Sequence, residues 1–253
     1  MIEIYFLCSI ENMSKKIREK IIFLLEDFKK ECSKAKFYFF VIFLAQASII
    51  GLGLWLGFLR NNLDKHFGEA GFVTWFSFFN LLFVAFIATI VANNLYWLGK
   101  KDKESQVNRY LFWSWIIIAL GFLFLSFDEI LMIHEKTKKS FHSFFQIKAN
   151  DWTNRLDDLM VFLYAIILII WVYMFRYNIR LFGKVKYFIF LALFFFVIMV
   201  YYDYLGKGLT QYDKKTLYAV YEESAKIIAE GFFLLSAMHC LKITERLRGK
   251  EKK

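Results

Sequence analysis

The chain has 253 residues, of which 58% are hydrophobic and 21% aromatic, and its mean hydropathy is +0.42. Thirty-three Lys and Arg stand against 23 Asp and Glu, so a strongly apolar chain also carries a net positive charge. A water-soluble domain rarely has that balance, which points to the lipid bilayer as partner.

A hydrocarbon layer about 30 Å thick needs roughly 20 apolar residues at 1.5 Å per residue. Six runs of that kind occur: Phe37 to Leu59, Phe72 to Leu98, Tyr110 to Ile133, Asp157 to Phe175, Val185 to Tyr204 and Leu217 to Leu241. Backbone groups in lipid are satisfied only in helices or closed barrels, and these runs do not alternate as barrel strands do. The expected fold is all-α, an integral membrane bundle of six transmembrane helices preceded by an amphipathic helix. Residues 1–36 would form a basic cytoplasmic segment, 37–241 the transmembrane domain and 242–253 a basic cytoplasmic tail.

The opening MIEIYFLCSI has no basic leader and too short an apolar stretch for a secretory signal, so no cleavage is expected. Residues 14–36 place Ile17, Ile21, Leu24, Phe28 and Cys32 on one side and Lys16, Lys20, Glu26 and Lys30 elsewhere, with Ser14 as a cap. The simplest role is a helix lying in the headgroup layer. A second role is recognition of an anionic cytoplasmic ligand, a nucleotide, an oligonucleotide or an anionic lipid, by Lys15, Lys16, Arg18, Lys20, Lys100 and Lys101.

In the first span, Gly53 with Gly57 and Ala47 with Gly51 have the small-xxx-small spacing that lets helices approach closely. Gln46, Gly53 and Arg60 recur every seven residues and mark an interior seam, and Asn80 in the second span reads as an interhelical hydrogen-bonder. The chain has no proline, so the spans should be nearly straight.

The third span carries Ser114, Gly121, Asp128 and Glu135 at intervals of seven, a stripe expected to face protein or water. Asp128 and Glu135 stand about 20° apart around the axis at roughly 100° per residue, with Glu129 and His134 flanking them. The competing reading is a solvated helix end, since Tyr110 to Phe127 already spans about 27 Å. Asp157 and Asp158 open the fourth span and Asp203 closes the fifth. In the sixth, only Gly231 to Leu241 separates Glu230 from the basic tail, which places Glu230 near mid-membrane with Lys226, Glu223 and Glu222 above it. A lone charge at that depth costs at least about 2.5 to 3.5 kcal/mol, so Glu230 is expected to pair, with Lys226 one turn away as its nearest partner.

Ser126, Asp128, Glu129, His134 and Glu135 form an S-x-D-E-x4-H-E pattern that resembles one found in uncharacterised bacterial polytopic membrane proteins. The resemblance spans about ten residues and implies joint action but no particular activity. Glu222-Glu223-Ser224-Ala225-Lys226 resembles the E-E-x3-R of intramembrane prenyl-protein proteases, but a lysine stands one position early. His134-Glu135 lacks the second histidine of H-E-x-x-H, and His66, His142 and His239 do not fall where ceramidase-like membrane hydrolases hold theirs.

Twenty-two Lys and Arg fall in segments on one side of the six spans and ten in loops on the other, so both termini are expected in the cytoplasm and the location is the inner (plasma) membrane. Cys8, Cys32 and Cys240 then lie on the reducing side, and no disulfide is expected. Asp128, Glu129, His134, Glu135, Asp158, Asp203, Glu222 and Glu223 gather at the outer ends of four spans, where convergence would build a cation-attracting vestibule above Lys226 and Glu230. The expected function is cation conduction or transport by a homo-oligomeric channel gated by an anionic cytoplasmic ligand. One alternative is a metal-dependent hydrolase binding a divalent ion through Asp128, His134, Glu135 and Asp203, and another is a membrane scaffold or partner subunit.

Overall fold

A computed structural model describes residues 36–60, 62–68, 71–101, 106–133, 136–137, 140, 144, 166, 182–183, 185–207 and 212–250. The chain divides into two compact units, Met1–Val41 and Ile42–Lys253. Of the first, residues 36–41 are described; they open the first helix, where the Phe37 and Tyr38 rings meet edge-on at 5.8 Å. The second unit holds every feature considered below.

No strand occurs among the described residues. The helices are α1 (Lys36–Leu59), a single turn α2 (Asp64–Phe67), α3 (Phe72–Lys101), α4 (Gln106–Leu131), α5 (Lys186–Lys207) and α6 (Tyr212–Lys250). Five helices among the described residues are long and apolar enough to cross a membrane. The amphipathic N-terminal helix and, apart from Ile166, the fourth span at 157–175 lie outside the described residues.

Side-chain contacts fix the directions. Ser77 and Asn80 of α3 bond Glu230 of α6, and Asn94 bonds Thr244, so α3 and α6 run parallel in constant register. Along α4 the order reverses: Ser126 donates to the Phe78 carbonyl at 3.1 Å, while at the other end Phe112 packs on Tyr96. Helix α5 is antiparallel to α6, with Tyr202 against Tyr218 and Tyr221, Phe195 stacked on Phe232, and Phe188 near His239. In α1, Phe43 meets Phe232 and Gln46 meets Ile227, so α1 also opposes α6. The end where α1, α4 and α5 finish and α3 and α6 begin is called the upper end.

Helix α3 shows why these sequences pack this way. Val73, Ser77, Leu81, Val84, Ala88, Val91 and Leu95 recur at three- and four-residue intervals and are buried, whereas Trp75, Phe79, Phe83 and Phe86 on the other side are exposed. Similar exposed apolar side chains cover α1 (Leu52, Trp55, Phe58), α4 (Trp113, Ile117, Leu120) and α5 (Phe190, Phe194, Val197). A surface this apolar fits lipid and not water. The lower core joins Ala92, Leu95, Leu111, Trp115, Phe182 and Cys240, and the upper one joins Phe67, Val73, Val220 and Ile227.

Gln46, Gly53 and Gly57 are the buried residues of α1, so the expected seam holds at Gln46 and Gly53 and ends before the exposed Arg60. A Cβ on Gly53 would stand 2.8 Å from the Phe67 ring, and one on Gly57 would stand 2.4 Å from the Leu63 side chain. The stripe expected on α4 is interrupted: Ser114 and Asp128 are buried, but Gly121 is exposed, with nothing within 4 Å of where its Cβ would sit. Helix α4 stops at Leu131 because Met132 adopts a left-handed φ of 51°, a conformation that costs a side chain about 1–2 kcal/mol.

Helix α6 runs well past the expected end at Leu241. Its inner face stays packed there, with Cys240 and Thr244 buried, while Lys242 and Arg246 project outward as snorkelling side chains do.

Candidate functional site

The charged residues of α6 meet partners from α3 and α4 at the upper end. The Lys226 ammonium lies 2.9 Å from Glu129 Oε2 on α4 and 2.8 and 2.7 Å from the two Glu223 oxygens one turn earlier on its own helix. The three side chains are only 14 to 20% exposed, so the ions are largely removed from solvent. Asp203 on α5 is near enough for its charge to act on Glu223.

Glu230 does not pair with Lys226. Its carboxylate is 4% exposed and is held from α3: Ser77 Oγ donates a short hydrogen bond to Oε1, and Asn80 Nδ2 donates to Oε2 at 3.4 Å. The expected intrahelical pair gives way because Glu129 and Glu223 together offer the ammonium three close carboxylate oxygens, whereas α3 offers Glu230 two neutral donors. The charges of Glu129 and Lys226 still act on Glu230 across the intervening turn.

The partners also set the level of the site. Ser77 and Asn80 stand five and eight residues into the uncharged stretch Phe72–Leu98, about 8 and 12 Å along the axis at 1.5 Å per residue. Glu230 therefore lies in the upper third of that stretch, not at its middle. Counting from Lys242 misplaces it because the buried helix continues beyond that lysine.

On the side facing α1, Gln46 is 1% exposed and its Nε2 donates to the Ile227 carbonyl at 2.6 Å. Because a carbonyl can only accept, the amide orientation is fixed, and the buried Oε1 is left without a donor among the described residues. The unit thus gathers, within two turns of α6, an ammonium, three glutamates and an unfilled amide oxygen. Such a set can hold and exchange cations or protons.

Of the candidate residues, Glu129, Glu223 and Lys226 come together, Glu230 lies a turn below, and Asp203 borders them. Asp128 is buried on α4 and Glu222 is half-buried on α6. His134, Glu135, Asp158, Lys15, Lys16, Arg18 and Lys20 lie outside the described residues, as do the side chains of Lys100 and Lys101. Among the described residues no group of three or more His, Cys, Asp or Glu side chains is arranged to hold a metal ion, so Asp128 and Asp203 do not form the expected metal set by themselves. Ser77 was not anticipated; its only signal is a hydroxyl one turn before Asn80 in an otherwise apolar run.

No curated protein and no solved structure matches the chain. Residues 37–241, from the start of α1 into α6, match a family described as a domain of unknown function, DUF8692, and the chain belongs to that family.

Proposed function

We propose that the protein is a multi-pass membrane protein that conducts or transports a cation and works as a homo-oligomer. The observation that carries this reading is the charged ladder of Glu129, Glu223, Lys226 and Glu230 inside a mostly apolar bundle. Ionisable groups in such surroundings are expensive, and where they occur they mark ion or proton pathways more often than they serve packing. With Asp203 beside Glu223, carboxylates outnumber the single ammonium, so the ladder as a whole favours a cation.

Six crossings with both termini in the cytoplasm complete the reading. Helices α4 and α5 both oppose α6, which supports a return from the upper to the lower end between Leu131 and Lys186 through the apolar run Asp157 to Phe175. The bias of Lys and Arg then puts the upper end outside. Self-association draws support from Ala47 and Gly51, a small-xxx-small pair that stays exposed on α1 among the described residues.

The test is cation flux through purified protein in liposomes. Glu230→Gln and Glu129→Gln should each lower flux at least about tenfold, a barrier change of about 1.4 kcal/mol. Wild-type liposomes no leakier than empty ones, with K⁺, Na⁺ and H⁺ each tried, would reject the proposal.

A further inference from the structure

A second polar group lies at the lower end of the α3–α6 pair, remote from the glutamates. Arg248 Nη1 donates to Asn94 Oδ1 at 3.1 Å, Asn94 Nδ2 donates to Thr244 Oγ1 at 3.3 Å, and Thr244 Oγ1 donates to the Leu241 carbonyl at 2.9 Å. Every link is directed. The threonine proton is committed to the carbonyl, so its oxygen faces the amide NH₂; the amide oxygen therefore faces the guanidinium, which can only donate. Donors aligned in one sense polarise one another.

The chain of bonds is built from interior residues, Asn94 at 3% and Thr244 at 0% exposure, yet it ends on a half-buried cation. No carboxylate pairs with Arg248 among the described residues. Glu245, three residues earlier on the same helix, points into solvent and forms no ion pair with it. Among the described residues only one of the five guanidinium N–H groups is used, and its partner is a neutral amide that brings no compensating charge. The level is that of a headgroup layer: Asn94 falls near the end of the apolar stretch Phe72–Leu98, and the exposed Tyr96 and Trp97 follow it at once.

We propose that Arg248, oriented by Asn94 and Thr244, is a binding site for a phosphate group. A guanidinium held by one edge presents its other N–H groups as a fork, which matches two phosphate oxygens in a way a lysine would not. The phosphate is that of an anionic lipid or of a soluble phosphate compound, and the same residues would receive either.

The experiment follows thermal unfolding of the full chain in a neutral detergent with phosphatidylglycerol, with diacylglycerol of the same tails, or with inorganic phosphate. Phosphatidylglycerol should raise Tm by about 4 °C or more and diacylglycerol should not. A rise with inorganic phosphate as well identifies a soluble phosphate ligand; a rise with the lipid alone identifies a headgroup. Arg248→Gln should lose at least half of the rise, whereas Arg246→Gln, the same charge change at an exposed neighbour, should keep it. Asn94→Asp gives Arg248 an internal carboxylate and should abolish the response even if Arg248→Gln folds poorly. Equal losses in Arg246→Gln and Arg248→Gln, or an undiminished response in Asn94→Asp, would overturn the proposal.

Discussion

Gln46 and Gly231 share one space: the Gln46 amide reaches the Ile227 carbonyl at 2.6 Å only because Gly231, one turn on, has no side chain. A Cβ at Gly231 would stand 2.1 Å from Gln46 Nε2 and 2.6 Å from Oε1. Gly231→Ala should therefore expel the glutamine and destabilise the protein by about 1–3 kcal/mol, the usual result of stranding a buried polar group. Gln46→Ala in the same chain vacates the space, so the double mutant should unfold at a higher temperature than Gly231→Ala alone. Equal melting temperatures for the two would show that α1 moves aside.

Lys226 is predicted to be compensated by Glu129 and Glu223. Lys226→Met leaves two carboxylates facing each other in a largely buried place and should cost about 3–5 kcal/mol, whereas neutralising all three in Lys226→Met/Glu129→Gln/Glu223→Gln should restore most of that. Lys226→Met/Glu230→Gln should not recover, since Glu230 is bonded elsewhere. Denaturation midpoints of the three variants decide the pairing. Recovered stability with lost flux in the triple mutant would show that the charges serve transport as well as folding.

How much of this the sequence disclosed depends on whether a residue contrasts with its surroundings. Lys226, Glu223, Glu230 and Glu129 are visible because a charge in an apolar run is costly, and Gln46 and Asn80 because an amide there is unusual. Ser77 and Thr244 are not visible, since a hydroxyl in a membrane helix ordinarily satisfies itself on its own backbone, as Ser48 and Thr89 do. Pairing is a different matter. Sequence spacing gives distances within one helix, so it proposes Lys226 with Glu230; the nearer Glu129 becomes available only once α4 is laid beside α6. The extension of α6 past Leu241 was hidden for a related reason, because Lys242 looks like a boundary until the packing of Thr244 shows the opposite face still buried.

The Ser77–Glu230 bond should couple the two residues energetically. Ser77→Ala removes the close donor from a buried carboxylate and should cost about 1–3 kcal/mol. Asn80→Leu should cost less, because its contact with Glu230 is long at 3.4 Å. In a double-mutant cycle, Ser77→Ala with Glu230→Gln should show a coupling of about 0.5–3 kcal/mol. Additive effects would mean that Glu230 is held by something other than Ser77.

Single cysteines at Lys138 and Lys250, in a chain with Cys8, Cys32 and Cys240 replaced, test the orientation. Lys250 closes α6 at the lower end, and Lys138 follows α4, which finishes at the upper end. If the 22 to 10 asymmetry of Lys and Arg fixes the lower end in the cytoplasm, an impermeant maleimide added to intact cells should label Lys138→Cys. Lys250→Cys should be labelled only after the membrane is opened. The reverse pattern would keep the bundle and invert it, placing the glutamate ladder near the cytoplasmic face and Arg248 near the external leaflet. Labelling of both positions in intact cells would mean that α4 and α6 do not end on opposite sides of a bilayer, and the transport reading would fall with the topology.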